Sequence, residues 1–104
     1  MVTQSEIEKV ARDIGKAASA ERVILFGSYA SGHASESSDV DLMVIADSKE
    51  PRHKRSRELY RSLQRCRFPV DILVYTPAEV RANAQTPVSF IAQVLREGRI
   101  VYVR

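Results

Sequence analysis

The 104-residue chain has one cysteine, Cys66, so no internal disulfide can form and a secreted fold stapled by disulfides is excluded. Apolar runs stay far short of the roughly 20 residues that span a bilayer, and the opening Met1-Val-Thr-Gln-Ser-Glu is polar. A soluble, cytoplasmic protein with no membrane contact is expected. Histidine is scarce: His33 and His53 have no metal-ligand spacing with Cys66 or with each other, which assigns both to the surface. With 4 glycines and 4 prolines there is no low-complexity tract, repeat or linker. What is there, 44% apolar and 28% charged residues, suits one compact domain over residues 1–104. A chain of this size buries roughly 65% of the surface its unfolded form exposes.

The formal net charge of +3 is unevenly spread. Residues 1–50 carry five basic and nine acidic groups, and residues 51–104 carry eleven and four. One surface therefore suits cations or basic partners, and another suits phosphate or an acidic protein.

Ile7, Val10, Ala11, Ile14, Ala17 and Ala18 recur at three- and four-residue steps, predicting an amphipathic helix over 5–18 with Thr3 or Ser5 as N-cap and Gly15 as a blemish. The run Arg22-Val-Ile-Leu-Phe reads as a buried strand stopped by Gly27. A helical turn and loop follow over 28–38, then a second strand over 39–46. Pro51 opens a predicted helix over 51–67, with Ser56, Leu59, Leu63 and Cys66 on one side and arginines on the others. A third strand spans 70–75. Thr76-Pro77-Ala78-Glu79 has the N-cap, N1 proline and acidic N3 of a helix start. Thr86-Pro87 repeats that signal for a helix through Phe90, Ile91, Val94 and Leu95, taken as core, to a stop at Gly98; residues 100–103 form a terminal strand. This order predicts an α/β fold of about four strands with helices packed on the sheet.

Asp39 and Asp41 stand two apart at a strand entrance, so both side chains face one way, with Cα atoms about 6.6 Å apart. Such a pair can share hard metal ions, although an Asp-x-Asp after Ser37-Ser38 is also a common turn and cap. Asp71 opens the next strand in an apolar segment. Were the two strands parallel, three carboxylates would meet at one end of the sheet and offer oxygens to Mg2+. The competing reading is a buried structural acid paired with Arg67 or Arg99. Gly27-Ser28, a strand-ending glycine followed by a helical turn, exposes backbone N–H groups and forms a phosphate cradle, or else a mere capped turn.

Gly27-Ser28, ten intervening residues, Asp39-Val40-Asp41 followed by Leu42, and a later strand Asp71 together resemble the nucleotidyltransferase superfamily related to DNA polymerase beta. The run LFGSYASGHASESSDVDLMVI and the short length resemble the minimal nucleotidyltransferase (MNT) antitoxins. The resemblance implies a mixed-sheet nucleotidyltransferase domain. It makes Asp39 and Asp41 metal ligands, Asp71 the third carboxylate, and Gly27 and Ser28 the nucleotide-binding pair, with two Mg2+ ions and ATP as substrate. Many relatives have arginine where this chain has Ser31, which removes one charge contact to the nucleotide or the partner.

Two divalent ions about 3.5–4 Å apart can stabilise the attacking and leaving oxygens at a phosphorus atom. Related larger transferases present their acceptor on an extra helical domain, for which this chain has no room, so the acceptor is expected to arrive on a separate macromolecule. The resemblance implies a HEPN-domain toxin, a small helical ribonuclease-like protein, with AMP transferred from ATP to one of its tyrosines. Two other classes compete: a non-catalytic antitoxin acting by binding alone, and a small basic RNA-binding protein. For the latter, Lys54, Arg57, Arg61 and Arg65 would form a ridge on the second helix, with Tyr60 as its only aromatic. Ahead of RNA contact, that ridge suits docking to an acidic partner surface or to nucleotide phosphates, or is simply a solvated face.

Overall fold

The computed structural model describes residues 1–104. Its elements are α1 (Gln4–Ala18), β1 (Arg22–Phe26), α2 (Ser28–Ser31), β2 (Val40–Ile45), a 3-10 turn (Arg52–Lys54), α3 (Arg57–Arg61), β3 (Val70–Tyr75), α4 (Pro77–Ala84), α5 (Phe90–Glu97) and β4 (Arg99–Val103). The strands form one mixed sheet in the order β3-β2-β1-β4. β1 runs antiparallel to β2 and to β4, while β2 and β3 are parallel. No helix is long and apolar enough to cross a membrane.

Strand alternation sorts the apolar residues onto two faces. Ile7, Val10, Ala11 and Ile14 of α1 and Leu59 of α3 pack on Val23, Leu25, Val40, Leu42, Val44, Ile72 and Val74. On the opposite face Val80 of α4 and Ile91 and Val94 of α5 cover Ile24, Met43, Ile45 and Tyr75. Thr3 is the N-cap of α1: its Oγ1 accepts from the Glu6 amide at 3.1 Å, and the Glu6 carboxylate accepts from the Thr3 amide at 2.9 Å. Thr76 and Glu79 repeat this capping box at α4, with Pro77 at N1.

The predicted helix over 51–67 is not continuous. It breaks into the 3-10 turn and the five-residue α3, of which only Leu59 is buried. Arg57, Arg61 and Arg65 at four-residue steps repel one another, and one buried leucine is too little packing to carry a longer helix. Lys54, Arg57, Arg61 and Arg65 therefore do not share a helical ridge. The last helix starts later than Thr86, at Ser89, whose side chain accepts from the Ala92 amide at 3.0 Å. Phe90, expected in the core, is 43% exposed because it occupies the first position of that helix at the sheet's end.

Candidate active site

The antiparallel register pairs Phe26 with Asp41, so the chain leaves β1 at Gly27 beside the Asp41 side chain. Gly27 has φ +75° and ψ −154°, a region only glycine adopts readily, and a Cβ added there would run into the Asp41 Oδ2 atom. The amides of Ala30 and Ser31 both donate to the Gly27 carbonyl at 3.1 Å. Those of Ser28 and Tyr29, first in the turn, have no carbonyl within it to bond. Gly27 is exposed and Ser28 half-buried. Tyr29 packs against the α1 core with its hydroxyl accepting from the Val2 amide at 3.2 Å, so it holds the turn. Ser31 is exposed and meets His33 Nδ1 at 3.1 Å. Alongside Gly27 opens a cleft of about 270 Å³, lined by Phe26, Ser31, Phe90, Gln93 and Glu97 among others. The Phe26 and Phe90 rings meet edge to face there at 5.5 Å.

Parallel pairing sets Asp41 directly beside Asp71. Both lie on the face that α4 and α5 cover, at the end of the sheet those helices leave open. Asp39 precedes β2 on the same alternation. Asp41 is half-buried and Asp39 is exposed; Asp71 is exposed as well, not buried as expected, because it opens an edge strand. The arginines that would have neutralised Asp71 are engaged elsewhere. Arg67 donates from Nε to Glu6 at 2.8 Å, and Arg99 donates to Gln4 and to the Tyr29 carbonyl, each at 3.3 Å. None of the three aspartates takes part in an ion pair.

The Asp41 carboxyl is pushed above its ordinary value, first by burial and then by the negative charges of Asp71 and Asp39. As they stand, the three carboxylates are not drawn together tightly enough to grip one ion. Their chemistry nonetheless fits a hard divalent cation: oxygen donors only, like charges side by side, and no cationic side chain to offset them.

One residue of the site, and one that braces the crossover beside it, escaped sequence reasoning. Tyr60, from α3, accepts from the Ile72 amide at 2.9 Å and donates to Asp71 Oδ1 at 3.3 Å, the one hydrogen bond to that carboxylate. Burial, and next among the raising effects the Asp71 charge, hold its phenol above the usual range despite the Ile72 hydrogen bond. The second is Arg55, in the crossover from β2 to β3, whose side chain is only 9% exposed. It grips both oxygens of Glu79 at 2.6 and 3.2 Å and donates to the carbonyls of Val74 and Glu50. Tyr60's solitary aromatic ring in an arginine-rich segment was a signal for the first. Nothing local distinguished Arg55 from its basic neighbours.

The family model described as "Polymerase beta, Nucleotidyltransferase" matches residues 8–104. Two putative protein adenylyltransferases of Methanocaldococcus jannaschii are similar to the chain. One is 36% identical over 78 residues, 75% of each chain; the other is 33% identical over 82 residues, 79% of this chain and 78% of its own. Among solved structures, a putative nucleotidyltransferase from Sulfolobus solfataricus superposes with a TM-score of 0.65 at 21% identity, over 97% of this chain and 84% of that one. A toxin-antitoxin structure with AMP-PNP superposes at 0.57 and 23% identity, covering 99% and 75%. At such identities the superpositions speak for the fold, which is the four-stranded mixed sheet described above. A match running from α1 through the last strand, joined by relatives that share a third of the aligned residues, makes this chain a member of the polymerase beta nucleotidyltransferase family.

Proposed function

We propose that the chain is a Mg2+-dependent protein adenylyltransferase that acts as the antitoxin of a HEPN-domain toxin, moving AMP from ATP onto a toxin tyrosine. The observation that carries this reading is the contact between Gly27 and Asp41: it joins the amide-lined turn to a trio of carboxylates that no cation offsets. Gly27 and Ser28 receive the phosphates, whose negative charge suits free amides. Asp39 and Asp41 hold the nucleotide-associated metal, and Asp71 shares a second ion and receives the proton of the attacking hydroxyl. Bound Mg2+ supplies charge stabilisation at the phosphorus centre and its leaving group. Transfer forms a bond from the acceptor oxygen to the α-phosphorus and releases pyrophosphate.

Relatives named as putative protein adenylyltransferases support a protein acceptor, and the toxin-antitoxin neighbour with AMP-PNP supports both an adenine nucleotide and a toxin partner. The site lies open at the sheet's end, as an acceptor delivered on another macromolecule requires. Ser31 offers a hydroxyl where many relatives have a guanidinium, so phosphate binding rests more heavily on the turn and the metal. An RNA-binding role loses its basis with the basic ridge, since its four cations are divided between a 3-10 turn, α3 and the following turns.

The test is transfer of label from α-labelled ATP to a HEPN-domain partner in the presence of Mg2+. Labelling by the wild-type chain, and its loss in Asp39→Ala and Asp41→Ala, is the expected result. A partner that stays unlabelled, or neutralisation that survives Asp39→Asn, favours occlusion by binding alone.

A further inference from the structure

Asp71 is the carboxylate that, on the reading above, faces the acceptor hydroxyl. The structure already puts one hydroxyl against it, and that hydroxyl belongs to the chain itself. Tyr60 Oη lies 3.3 Å from Asp71 Oδ1. This is long for an O–H to O contact, which prefers about 2.7–2.8 Å, so the hydroxyl is held loosely on this side. Its firmer bond is the one it accepts from the Ile72 amide at 2.9 Å, which leaves an oxygen lone pair free. The ring is 39% exposed. It stands on a five-residue helix whose N-cap makes no side-chain bond, a support that gives way to small shifts. The other three tyrosines are engaged differently: Tyr29 and Tyr102 pack against the α1 core, and Tyr75 is buried on the opposite face.

We infer that Tyr60 is an internal acceptor, and that the chain adenylylates itself there when it holds a nucleoside triphosphate and a divalent cation. The inference rests on the nucleotidyltransferase reading and names an acceptor for that same site. The Tyr60 oxygen forms a bond to the α-phosphorus, the bond from that phosphorus to the bridging oxygen of the β-phosphate breaks, pyrophosphate leaves, and the phenolic proton passes to Asp71. The product is a phosphodiester, so one negative charge is added beside three carboxylates. That charge opposes entry of a second triphosphate, and the modification stops at one AMP per chain.

The experiment uses the purified full chain with Mg2+ and ATP and no partner. Intact mass and tandem mass spectrometry read modification, and the shift of melting temperature with Mg2+ and ATP reads nucleotide binding. The expected result is an added mass of one AMP on the peptide carrying Tyr60, at most one per chain, absent from Tyr60→Phe and from Asp71→Asn. Site localisation on the wild-type chain needs no variant to fold. A melting shift without added mass, or label on Ser28 or another hydroxyl, overturns Tyr60 as the internal acceptor while leaving the nucleotidyltransferase reading intact. Absence of both shift and label overturns the two together.

Discussion

Replacing Gly27 with alanine strikes the point where backbone, phosphate turn and acid cluster meet. At φ +75° and ψ −154° an L-residue is strained by about 1–3 kcal/mol. The new methyl group also meets Asp41 Oδ2. That oxygen is the end of a rotatable side chain, so the overlap is relieved by turning the carboxylate rather than by breaking the sheet. The backbone term alone, at about 4–8 °C per kcal/mol for a domain near 100 residues, lowers the melting temperature by roughly 5–20 °C. Because the Asp41 carboxylate is the group that gives way, the two positions must couple. Urea or thermal melts of Gly27→Ala, Asp41→Ala and the double variant should show Gly27→Ala costing less once Asp41 is gone, by about 0.5–1 kcal/mol. Transfer activity should fall in Gly27→Ala even at temperatures where it remains folded, since its carboxylate has been turned. Gly27→Ala melting within a degree of wild type, or a strictly additive double variant, refutes the reasoning.

In EDTA, Asp41→Asn should melt a few degrees above wild type, since like charges on paired strands cost up to about 1 kcal/mol; Mg2+ should narrow the gap, and a lower melting point in EDTA would contradict the claimed repulsion. Glu79 is held below its ordinary value by its Arg55 hydrogen bonds and then by the Thr76 amide. Its stabilisation is therefore complete above the unfolded glutamate value and lost as pH falls through the lower folded value. Melting curves from pH 6 down to pH 3 should show Glu79→Gln less stable by about 1–2 kcal/mol near neutrality, after allowance for solvent on the exposed side of the pair. The difference should shrink on acidification, and a gap that widens instead would be inconsistent with this sign. Gly15→Ala should destabilise by about 1 kcal/mol, because overpacking against the Tyr102 ring outweighs the helix-propensity gain of about 1 kcal/mol. In a Tyr102→Ala background the same change should turn stabilising, and stabilisation in the wild-type background would argue against the packing account.

How far a sequence can be read depends on whether a residue's role is set within a few positions of it. Strand alternation alone placed Asp39 and Asp41 on one face; Thr3, one of two N-cap candidates, and Thr76 with Pro77 and Glu79 marked two helix starts that the capping boxes realise. The place of Asp71 beside Asp41 needed only the condition that β2 and β3 run parallel, which the register meets. Gly15 looked like a flaw because its reason stands 87 residues away in Tyr102. The helix over 51–67 was overread for the opposite reason: its spacing suggested an apolar face, but of that face only Leu59 is fully buried, while Leu63 and Cys66 reach the core partly, from the turns after α3. With that segment shortened, its side chains do tertiary work that spacing does not encode, Arg55 clasping Glu79 across 24 positions and Tyr60 reaching Asp71 across 11. The crossover that joins the parallel strands is thus also the wall of the acid site. A substitution in it that looks remote from the aspartates, such as Arg55→Ala, should disturb the Tyr60–Asp71 contact as well as stability. Nuclear magnetic resonance shifts of the Ile72 amide in that variant provide the readout, and an unchanged amide would separate the wall from the site.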